Sequence, residues 1–311
     1  MLKVLNIVGA RPNFMKIAPI YAEMKRRESE FLPLIVHTGQ HYDAAMSDSF
    51  FVDLGMPTPD VHLNVGSASH AVQTAKIMME FEPIVLGQKP DWVLVVGDVN
   101  STLACSLVCA KRGVPVVHVE AGLRSYDRAM PEEINRVLTD QIADRLYTTE
   151  RSAHANLARE GIAEDRIRFV GNVMIDSLLA NRELARPAAT TLQLAGFDPG
   201  IVEQPRGYGV VTLHRPSNVD QKECLQPLLT VLREVSERVP LVFALHPRTR
   251  ANVMRFGLGE LLVNRHFEDV GARAAGAQGI ESLVQSAGGV LRPHDARRAH
   301  QRREAGPRLR A

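Results

Sequence analysis

The sequence predicts an α/β protein with two Rossmann-like domains, and three observations carry that prediction. The chain of 311 residues is long enough for two domains, each with its own core. Up to about residue 180, roughly six short apolar runs alternate with helical patterns, as in a doubly wound parallel sheet. Residues 186–207 then contain three prolines and little periodicity, and the alternation restarts after them.

These patterns define the predicted domains. We predict an N-terminal Rossmann-like domain at residues 1–185, a linker at 186–207 and a C-terminal Rossmann-like domain at 208–291. Residues 292–311 contain seven arginines and no apolar strand, which predicts a disordered tail. Because that tail cannot close a sheet, we expect the second domain to be incomplete.

The chain begins like a mononucleotide-binding half. A first strand at Lys3–Val8 leads into a turn that starts at Gly9, and a helix follows it. The N–H groups at such a helix N-terminus can bind a phosphate. Arg11 and Lys16 place two cations beside it, although each taken alone could equally be a solvated surface charge.

The most informative stretch surrounds two strand-end acids. The apolar runs Val93–Val96 and Val114–Val119 are followed by Asp98 and Glu120, with a helical pattern between them. A strand, helix and strand in this order form a parallel βαβ unit. Because the carboxyl ends of parallel strands open into one crevice, Asp98 and Glu120 are predicted to share a site.

Most of the acidic positions also have a structural explanation. Asp98 could cap the next helix, and Glu132 and Glu133 follow Pro131 at a helix start, where acids suit the helix dipole. Glu120 is harder to explain in this way, since an apolar strand precedes it and Ala-Gly follows. We expect its carboxylate to be partly desolvated, which suits acid–base chemistry.

Basic residues at two predicted strand ends of the second domain indicate an anionic ligand such as a diphosphate. These residues are His214, Arg215, His246 and Arg248. We predict that the His214 loop lies across a cleft from Asp98 and Glu120. Taken together, the cations and carboxylates indicate an enzyme that acts on a nucleotide-sugar or a phosphosugar.

Composition excludes several other classes. The net charge of +2 gives no argument for nucleic acid or for an anionic membrane, and no apolar run approaches the roughly 18 residues of a membrane span. The apolar run Leu2–Val8 is too short for a signal peptide, and three cysteines favour a reducing compartment. We therefore expect a cytoplasmic protein. The sequence contains no motif with metal-ligand spacing, and we expect Cys105 and Cys109 to be buried small residues.

Seven motifs occur in order along the chain: GARPNFMKIAP, HTGQHYD, GDVNST, HVEAGLRS, MPEEINR, TLHRPSN and LHPRTR. From residue 1 to about residue 262 the chain therefore resembles the non-hydrolysing UDP-N-acetylglucosamine 2-epimerase family. The resemblance implies a glycosyltransferase-B-like fold, a homodimer and no redox cofactor. It also implies interconversion of UDP-N-acetylglucosamine and UDP-N-acetylmannosamine. The family is thought to eliminate UDP in the anti sense to 2-acetamidoglucal, and then to add it back after C2 is reprotonated.

The resemblance assigns roles residue by residue. Asp98, Glu120 and Glu132 match the family's carboxylate positions, and His214 matches a histidine near the diphosphate. The remaining cations are expected to bind substrate or UDP, namely Arg11, Lys16, Arg215, His246 and Arg248. Inverting C2 requires removal of a proton from one face and its return on the other, so more than one acid–base group is needed.

Two stretches depart from the family pattern. The HTGQHYDAAMS loop differs from the glutamine-rich form that binds an activating UDP-sugar in allosteric members, so we expect no such regulation. Past residue 290 the family has a DSGG-x-QEE loop that grips the diphosphate and uridine, where this chain has arginines. We therefore expect weakened nucleotide binding and impaired activity.

Three alternatives stay open. One is a UDP-2,3-diacetamido-glucuronate 2-epimerase, because the GARPNF and TGQHYDAAMS forms also occur there. Another is a non-catalytic protein that binds a nucleotide-sugar, which the missing loop favours. A glycosyltransferase of the same fold is less favoured, because the carboxylates follow the epimerase motifs.

Overall fold

A computed structural model describes residues 1–39, 54–194, 197–204, 207–262 and 267–269. The chain divides into two compact units, Met1–Asn181 and Arg182–Ala311. Most of the HTGQHYDAAMS loop and the arginine-rich stretch 292–311 lie outside the described residues, as does most of the chain after residue 262. No helix in the described ranges is long and apolar enough to cross a membrane.

The first unit alternates strands and helices along the chain. Its described strands are β1 (Leu2–Val8), β2 (Phe31–His37), β3 (Val61–His62), β4 (Trp92–Val96), β5 (Val116–Val119), β6 (Arg145–Thr148) and β7 (Ile167–Phe169). Its described helices are α1 (Arg11–Arg26), α2 (His70–Gln88), α3 (Asn100–Arg112), α4 (Pro131–Ile142), α5 (Arg151–Arg159) and α6 (Val173–Arg182).

The seven strands form one parallel sheet in the order β3-β2-β1-β4-β5-β6-β7. The winding reverses between β1 and β4, and ligands of doubly wound sheets bind beside the carboxyl ends of the strands at such a point. Two of these strands have only weak sequence signals. The first is β3, which has only two residues, and the second is β6, which begins with the exposed Arg145 and has only two apolar residues.

The sheet of the first unit has a core on each face. On one face Leu5 and Val93 pack with residues of α2 and α3, and on the other Val4 packs against Phe14 and Ile17 of α1. Successive strand residues point to opposite faces, so both layers of helices bury apolar surface.

The two cysteines of α3 lie inside this core. Cys105 and Cys109 are free and fully buried, and burial raises the pKa of the Cys109 thiol to about 12. A thiol held in its neutral form is a poor nucleophile and a poor metal ligand. The interpretation of both residues as buried small side chains is therefore confirmed.

The second unit has a smaller parallel sheet among its described residues. Its strands are β8 (Gly209–Val211), β9 (Leu241–Phe243) and β10 (Phe267–Asp269), with β9 in the middle. Its helices are α7 (Ala188–Leu194), α8 (Pro216–Val219), α9 (Lys222–Ser236) and α10 (Pro247–Arg255). The prediction of an α/β protein with two Rossmann-like units is confirmed.

The stretch predicted as a linker contains ordered structure. Residues 186–207 include α7 and a 3-10 turn at Pro199–Glu203. Leu192 and Ile201 from these elements pack with Val242 of β9 in one buried cluster. These apolar side chains are thus buried with the second unit, whose first residue is Arg182.

Candidate active site

Asp98 and Glu120 follow neighbouring strands at the same edge of the sheet. The register pairs Val96 with Val119, the last residues of β4 and β5. The backbone continues this pairing, since the Gly97 N–H donates to the carbonyl of Val119 over 3.1 Å. The turns after both strands therefore lie side by side.

Lys16 of α1 forms an ion pair with Glu120, which joins the first helix to the turn after β5. The two side chains are 12% and 20% exposed, so the pair is largely but not completely shielded from solvent. The expectation of a partly desolvated carboxylate at Glu120 is therefore confirmed. Lys16 lies beside a strand-end carboxylate rather than on an open helix surface.

Gly97 lies directly against this ion pair. Its φ is +66°, a conformation that favours glycine. A β-carbon on Gly97 would be 2.9 Å from Lys16 Nζ and 3.3 Å from Glu120 Oε2. A side chain at this position would therefore displace the groups that form the pair.

The backbone of Glu120 is unusual for a residue with a side chain. Its φ is +72°, in the left-handed region that costs about 1–2 kcal/mol per residue. Two hydrogen bonds hold the turn, because the N–H groups of Glu120 and Ala121 both donate to the carbonyl of Tyr147, at 3.0 and 3.1 Å. Strained backbone of this kind is found preferentially at functional sites.

Asp98 is held by α4. Its carboxylate forms an ion pair with Arg136, and its backbone carbonyl accepts a 2.9 Å hydrogen bond from Asn135 Nδ2. The N-cap residue of α3 is Val99, which makes no side-chain capping bond. The alternative that Asp98 caps this helix is therefore wrong, because its carboxylate is engaged by Arg136.

The adjacent acids Glu132 and Glu133 have different environments. The buried Glu133 accepts hydrogen bonds from the N–H and the hydroxyl of Ser125, both at 3.0 Å, and from the Tyr126 N–H at 2.9 Å. Burial favours a higher pKa for Glu133, but these bonds and Arg136 outweigh it and lower the pKa. Glu133 is thus a structural carboxylate.

Glu132 is partly exposed, and its carboxylate makes no hydrogen bond or ion pair within the described part of the chain. It lies four residues before Arg136, so the two side chains project from the same face of α4. Arg136 contacts Asp98, which places that face toward the site. The structure therefore leaves the Glu132 carboxylate available where the Glu133 carboxylate is already used.

The turn at the start of α1 is partly satisfied from within. Asn13 Oδ1 accepts hydrogen bonds from the N–H groups of Gly9 and Ala10, at 3.1 and 3.0 Å. Its Nδ2 donates over 3.1 Å to the carbonyl of Val96, which ties the turn to β4. Two N–H groups that were candidates for binding phosphate are thus occupied. Arg11 begins α1, and its side chain lies outside the described part of the structure.

The predicted basic residues of the second unit lie beyond the carboxyl ends of β8 and β9. The rings of His214 and His246 have centroids 5.9 Å apart, and His246 Nδ1 accepts a 3.2 Å hydrogen bond from the Arg248 N–H. The pKa of His246 is lowered by partial burial, and further by the neighbouring His214 and Arg248. Arg215 is the exposed N-cap residue of α8.

Arg248 has a partner in its own unit. Its guanidinium binds Asp220 through two hydrogen bonds, of 2.7 Å from Nε and 2.5 Å from Nη2. A bidentate pair of this kind satisfies both charges and fixes the plane of the guanidinium. The sequence indicated that Arg248 would be a cation available to an anionic ligand, whereas in the structure its charge is paired with Asp220.

Residues that the sequence did not single out complete the first unit's site. Arg136 holds Asp98, and Asn13 links the turns after β1 and β4. Arg136 is the last residue of the MPEEINR motif, and its spacing from Glu132 was the available signal. The link from Asn13 to β4 had no sequence signal, because Val96 lies far along the chain.

A doubly wound sheet with paired carboxylates and cations at its strand ends defines an α/β enzyme of the kind that binds nucleotide-linked substrates. Comparisons with known proteins narrow this class. A model of the family described as UDP-N-acetylglucosamine 2-epimerase matches residues 23–283. The chain belongs to the UDP-N-acetylglucosamine 2-epimerase family, as its motifs predicted.

Individual relatives agree with this assignment. A UDP-N-acetylglucosamine 2-epimerase homolog of Methanococcus maripaludis is 44% identical over 263 residues, which cover 85% of this chain and 71% of the relative. A UDP-2,3-diacetamido-2,3-dideoxy-D-glucuronate 2-epimerase of Pseudomonas aeruginosa is 43% identical over 260 residues, 83% of this chain and 70% of the relative.

A solved structure shows the same fold. The Methanocaldococcus jannaschii UDP-GlcNAc 2-epimerase in complex with UDP-GlcNAc and UDP aligns with a TM-score of 0.75 and 38% identity, covering 91% of this chain and 76% of that one. The glycosyltransferase-B-like class expected from the motifs is therefore confirmed.

Proposed function

We propose that this protein interconverts UDP-N-acetylglucosamine and UDP-N-acetylmannosamine. The observation that carries the proposal is the pair of strand-end carboxylates, Asp98 and Glu120, each paired with a helix cation at one edge of the sheet. Family membership adds the class of substrate, since a relative from Methanocaldococcus jannaschii is named UDP-N-acetylglucosamine 2-epimerase.

The reaction needs a base, an acid and a site for the leaving group. In the elimination, a carboxylate takes the proton from C2, the C2–H electrons form the C1–C2 double bond, and UDP leaves C1 with the electrons of the C1–O bond. In the return step, a proton is delivered to the other face of C2, and a UDP oxygen forms the new bond to C1. Positioned general acids and bases contribute typically 10²–10⁴-fold each to such steps.

We assign the proton transfers to Asp98, Glu120 and Glu132. The first two are partly exposed and held in fixed positions by Arg136 and Lys16, so their oxygens are oriented before substrate arrives. Glu132 is the least restrained of the three. Positive character that develops at C1 as the C1–O bond breaks is stabilised by the same carboxylates.

We assign binding of the UDP group to Arg11 and Lys16 of the first unit and to the basic residues of the second. His214, Arg215 and His246 lie at the strand ends of the second unit, where an anionic ligand would offset the mutual repulsion of their charges. The Arg248 N–H donates to His246, but its guanidinium is paired with Asp220, so we expect Arg248 to contribute less than the other three to binding of the diphosphate.

The second candidate substrate is UDP-2,3-diacetamido-2,3-dideoxy-D-glucuronate. The Pseudomonas aeruginosa relative named for UDP-2,3-diacetamido-2,3-dideoxy-D-glucuronate is almost as similar to this chain as the M. maripaludis homolog, at 43% against 44% identity. The same elimination and re-addition would serve that sugar. Its carboxylate would require one further cation near the sugar ring.

Incubation with UDP-N-acetylglucosamine in deuterated water tests the proposal. The expected result is the manno epimer with deuterium at C2, because the proton removed from C2 exchanges with solvent before it is returned. Binding of UDP without exchange would instead support a non-catalytic nucleotide-sugar binding protein. A parallel incubation with the diacetamido-glucuronate substrate separates the two epimerases by their relative kcat/KM.

We also propose a cytoplasmic location and a homodimer. All three cysteines are free, as in a reducing compartment. Exposed apolar side chains on two helices supply a surface that a second copy could cover: Val72 and Met79 on α2, and Ile134 and Leu138 on α4. Ile134 lines a groove together with Met78, so the two helices adjoin each other at this surface.

A further inference from the structure

His118 lies directly behind the candidate active site, and the roles assigned above do not use it. It is the third residue of β5 and is completely buried. Its Nδ1 is 2.7 Å from Asp140 Oδ1, and its Nε2 is 2.8 Å from the backbone carbonyl of Gly97. Each ring nitrogen thus faces an oxygen at hydrogen-bond distance.

Both of these oxygens act as acceptors. A backbone carbonyl cannot donate, so Nε2 of His118 must carry a proton. Asp140 is held as a carboxylate by further donors, because its Oδ2 accepts from the Gly122 N–H at 3.0 Å and pairs with Arg124 at 2.7 Å. Nδ1 must therefore also carry a proton, and an imidazolium satisfies both contacts.

The charges around His118 balance, and the side chains that carry them are buried except for Glu160, which is 26% exposed. Arg124 bridges Asp140 and Glu160, so the cluster holds two cations, the imidazolium and the guanidinium, and two carboxylates. Buried charges persist when they are paired and hydrogen-bonded in this way. The pKa of Asp140 is lowered overall, because the opposing effect of burial is outweighed by His118 and Arg124.

The cluster contacts the two turns that carry the strand-end acids. The carbonyl that accepts from His118 belongs to Gly97, the residue before Asp98. The N–H that donates to Asp140 belongs to Gly122, two residues after Glu120 in a turn with strained backbone. One buried array therefore holds both turns.

We propose that a doubly protonated His118 is a positioning residue that, together with Asp140, fixes the two turns presenting Asp98 and Glu120. The catalytic consequence rests on the proposed epimerase function, whereas the ionisation of His118 does not. A neutral side chain of similar size would leave either the Gly97 carbonyl or Asp140 without its donor. The turns would then shift relative to each other, and misplacement by about 1 Å can lower turnover about 10²-fold.

Nitrogen NMR tests the ionisation directly. In protein labelled with ¹⁵N-histidine at pH 8, an ordinary histidine with a pKa near 6.5 is neutral and has one unprotonated ring nitrogen. We expect both nitrogens of His118 to resonate as protonated nitrogens, with the assignment made by their loss in His118→Gln. An unprotonated nitrogen at His118 would overturn the proposal.

Kinetics test the positioning role. For His118→Gln we expect kcat to fall about 10- to 100-fold with KM changed by less than about threefold, because substrate binding uses other groups. The matched control is His154→Gln, which removes a more exposed histidine–carboxylate pair, with Glu164 at 2.8 Å. A folded His118→Gln protein with normal kcat contradicts the proposal.

The NMR and kinetic experiments separate this inference from the proposed function. If wild-type protein shows no exchange at C2, the epimerase proposal fails, while the nitrogen spectrum still decides the ionisation of His118. If His118→Gln does not fold, as shown by circular dichroism, the wild-type spectrum decides between an imidazolium and a neutral ring, with the His118 signals then assigned by through-bond correlation.

Discussion

Lys16 and Glu120 form an ion pair across the edge of the parallel sheet, between the first helix and the turn after β5. A second pair, Asp98 with Arg136, lies after the adjacent strand. In both pairs a strand-end carboxylate is held by a cation from a helix. The carboxylates are thereby oriented, yet their side chains stay 20% and 31% exposed and open to a ligand.

Removing the charge of the candidate carboxylates should slow epimerisation. For Asp98→Asn, Glu120→Gln and Glu132→Gln we expect turnover to fall roughly 10²–10⁴-fold, because each would take part in proton transfer. The measurement is steady-state epimerisation, followed by the formation of UDP-N-acetylmannosamine. Asp165→Asn, an exposed acid outside the site, serves as the control. Near-normal turnover in all three variants would exclude the proposed roles.

A methyl group at Gly97 should separate Lys16 from Glu120. The β-carbon would lie 2.9 Å from Lys16 Nζ at a φ of +66°, so Gly97→Ala combines a steric clash with backbone strain of about 1–2 kcal/mol. We expect a lower melting temperature and at least a tenfold loss of kcat. Gly113→Ala is the matched control, because its φ is +69° and no atom lies within 4 Å of its β-carbon. Equal effects of the two substitutions would mean that backbone strain alone is responsible.

Glu133 should stabilise the fold rather than catalyse. Glu133→Gln removes a buried carboxylate that accepts hydrogen bonds from Ser125 and Tyr126, and we expect a loss of about 1–3 kcal/mol in the free energy of unfolding. Denaturant titration at pH 7 measures this loss. A matched Glu132→Gln protein should be nearly as stable as wild type.

The stabilisation by Glu133 should also depend on pH. Because the folded pKa is lowered, the contribution is complete above the unfolded pKa of a glutamate and is lost as the pH falls through the lower folded value. Wild-type protein should therefore lose more stability than Glu133→Gln as the pH falls below about 4.3, the unperturbed value. Parallel pH profiles of the two proteins would contradict this interpretation.

The pKa of His246 should report on anion binding. Partial burial and the positive neighbours His214 and Arg248 lower this pKa, so a bound anion should raise it by stabilising the imidazolium. NMR titration of His246 with and without UDP measures the change. In the free protein, His214→Gln should raise the pKa of His246 by removing one of these neighbours. No response to saturating UDP would exclude His246 from the diphosphate site.

The apolar face of α2 and α4 should mediate self-association. Met79 is 70% exposed and Ile134 is 43% exposed, so a charge at either position would be buried if a second copy covered this face. We expect Met79→Glu and Ile134→Glu to shift the protein from dimer to monomer in sedimentation velocity. Leu194→Glu, at an apolar position 62% exposed in the second unit, should not change the mass. A wild-type monomer would exclude the homodimer.

Much of the first unit could be predicted from the residues. The strands β1, β2, β4, β5 and β7 were recognised because each is an apolar run bounded by turn residues. The stretch 186–207 was interpreted as a linker because its prolines and weak periodicity conceal the short helix α7. Only the buried cluster of Leu192, Ile201 and Val242 shows that this helix packs with the second unit.

The sequence by itself determined the α/β class, the family and the edge of the sheet at which Asp98 and Glu120 lie. This was possible because apolar periodicity defines strands, and parallel connections bring the strand ends to one side. Only the tertiary structure decided which cation holds which carboxylate. It also decided that, among the residues it describes, the Glu133 carboxylate has hydrogen-bond partners and the Glu132 carboxylate has none. Lys16 and Glu120 are 104 positions apart along the chain, and such side chains meet only when the sheet and its helices have packed.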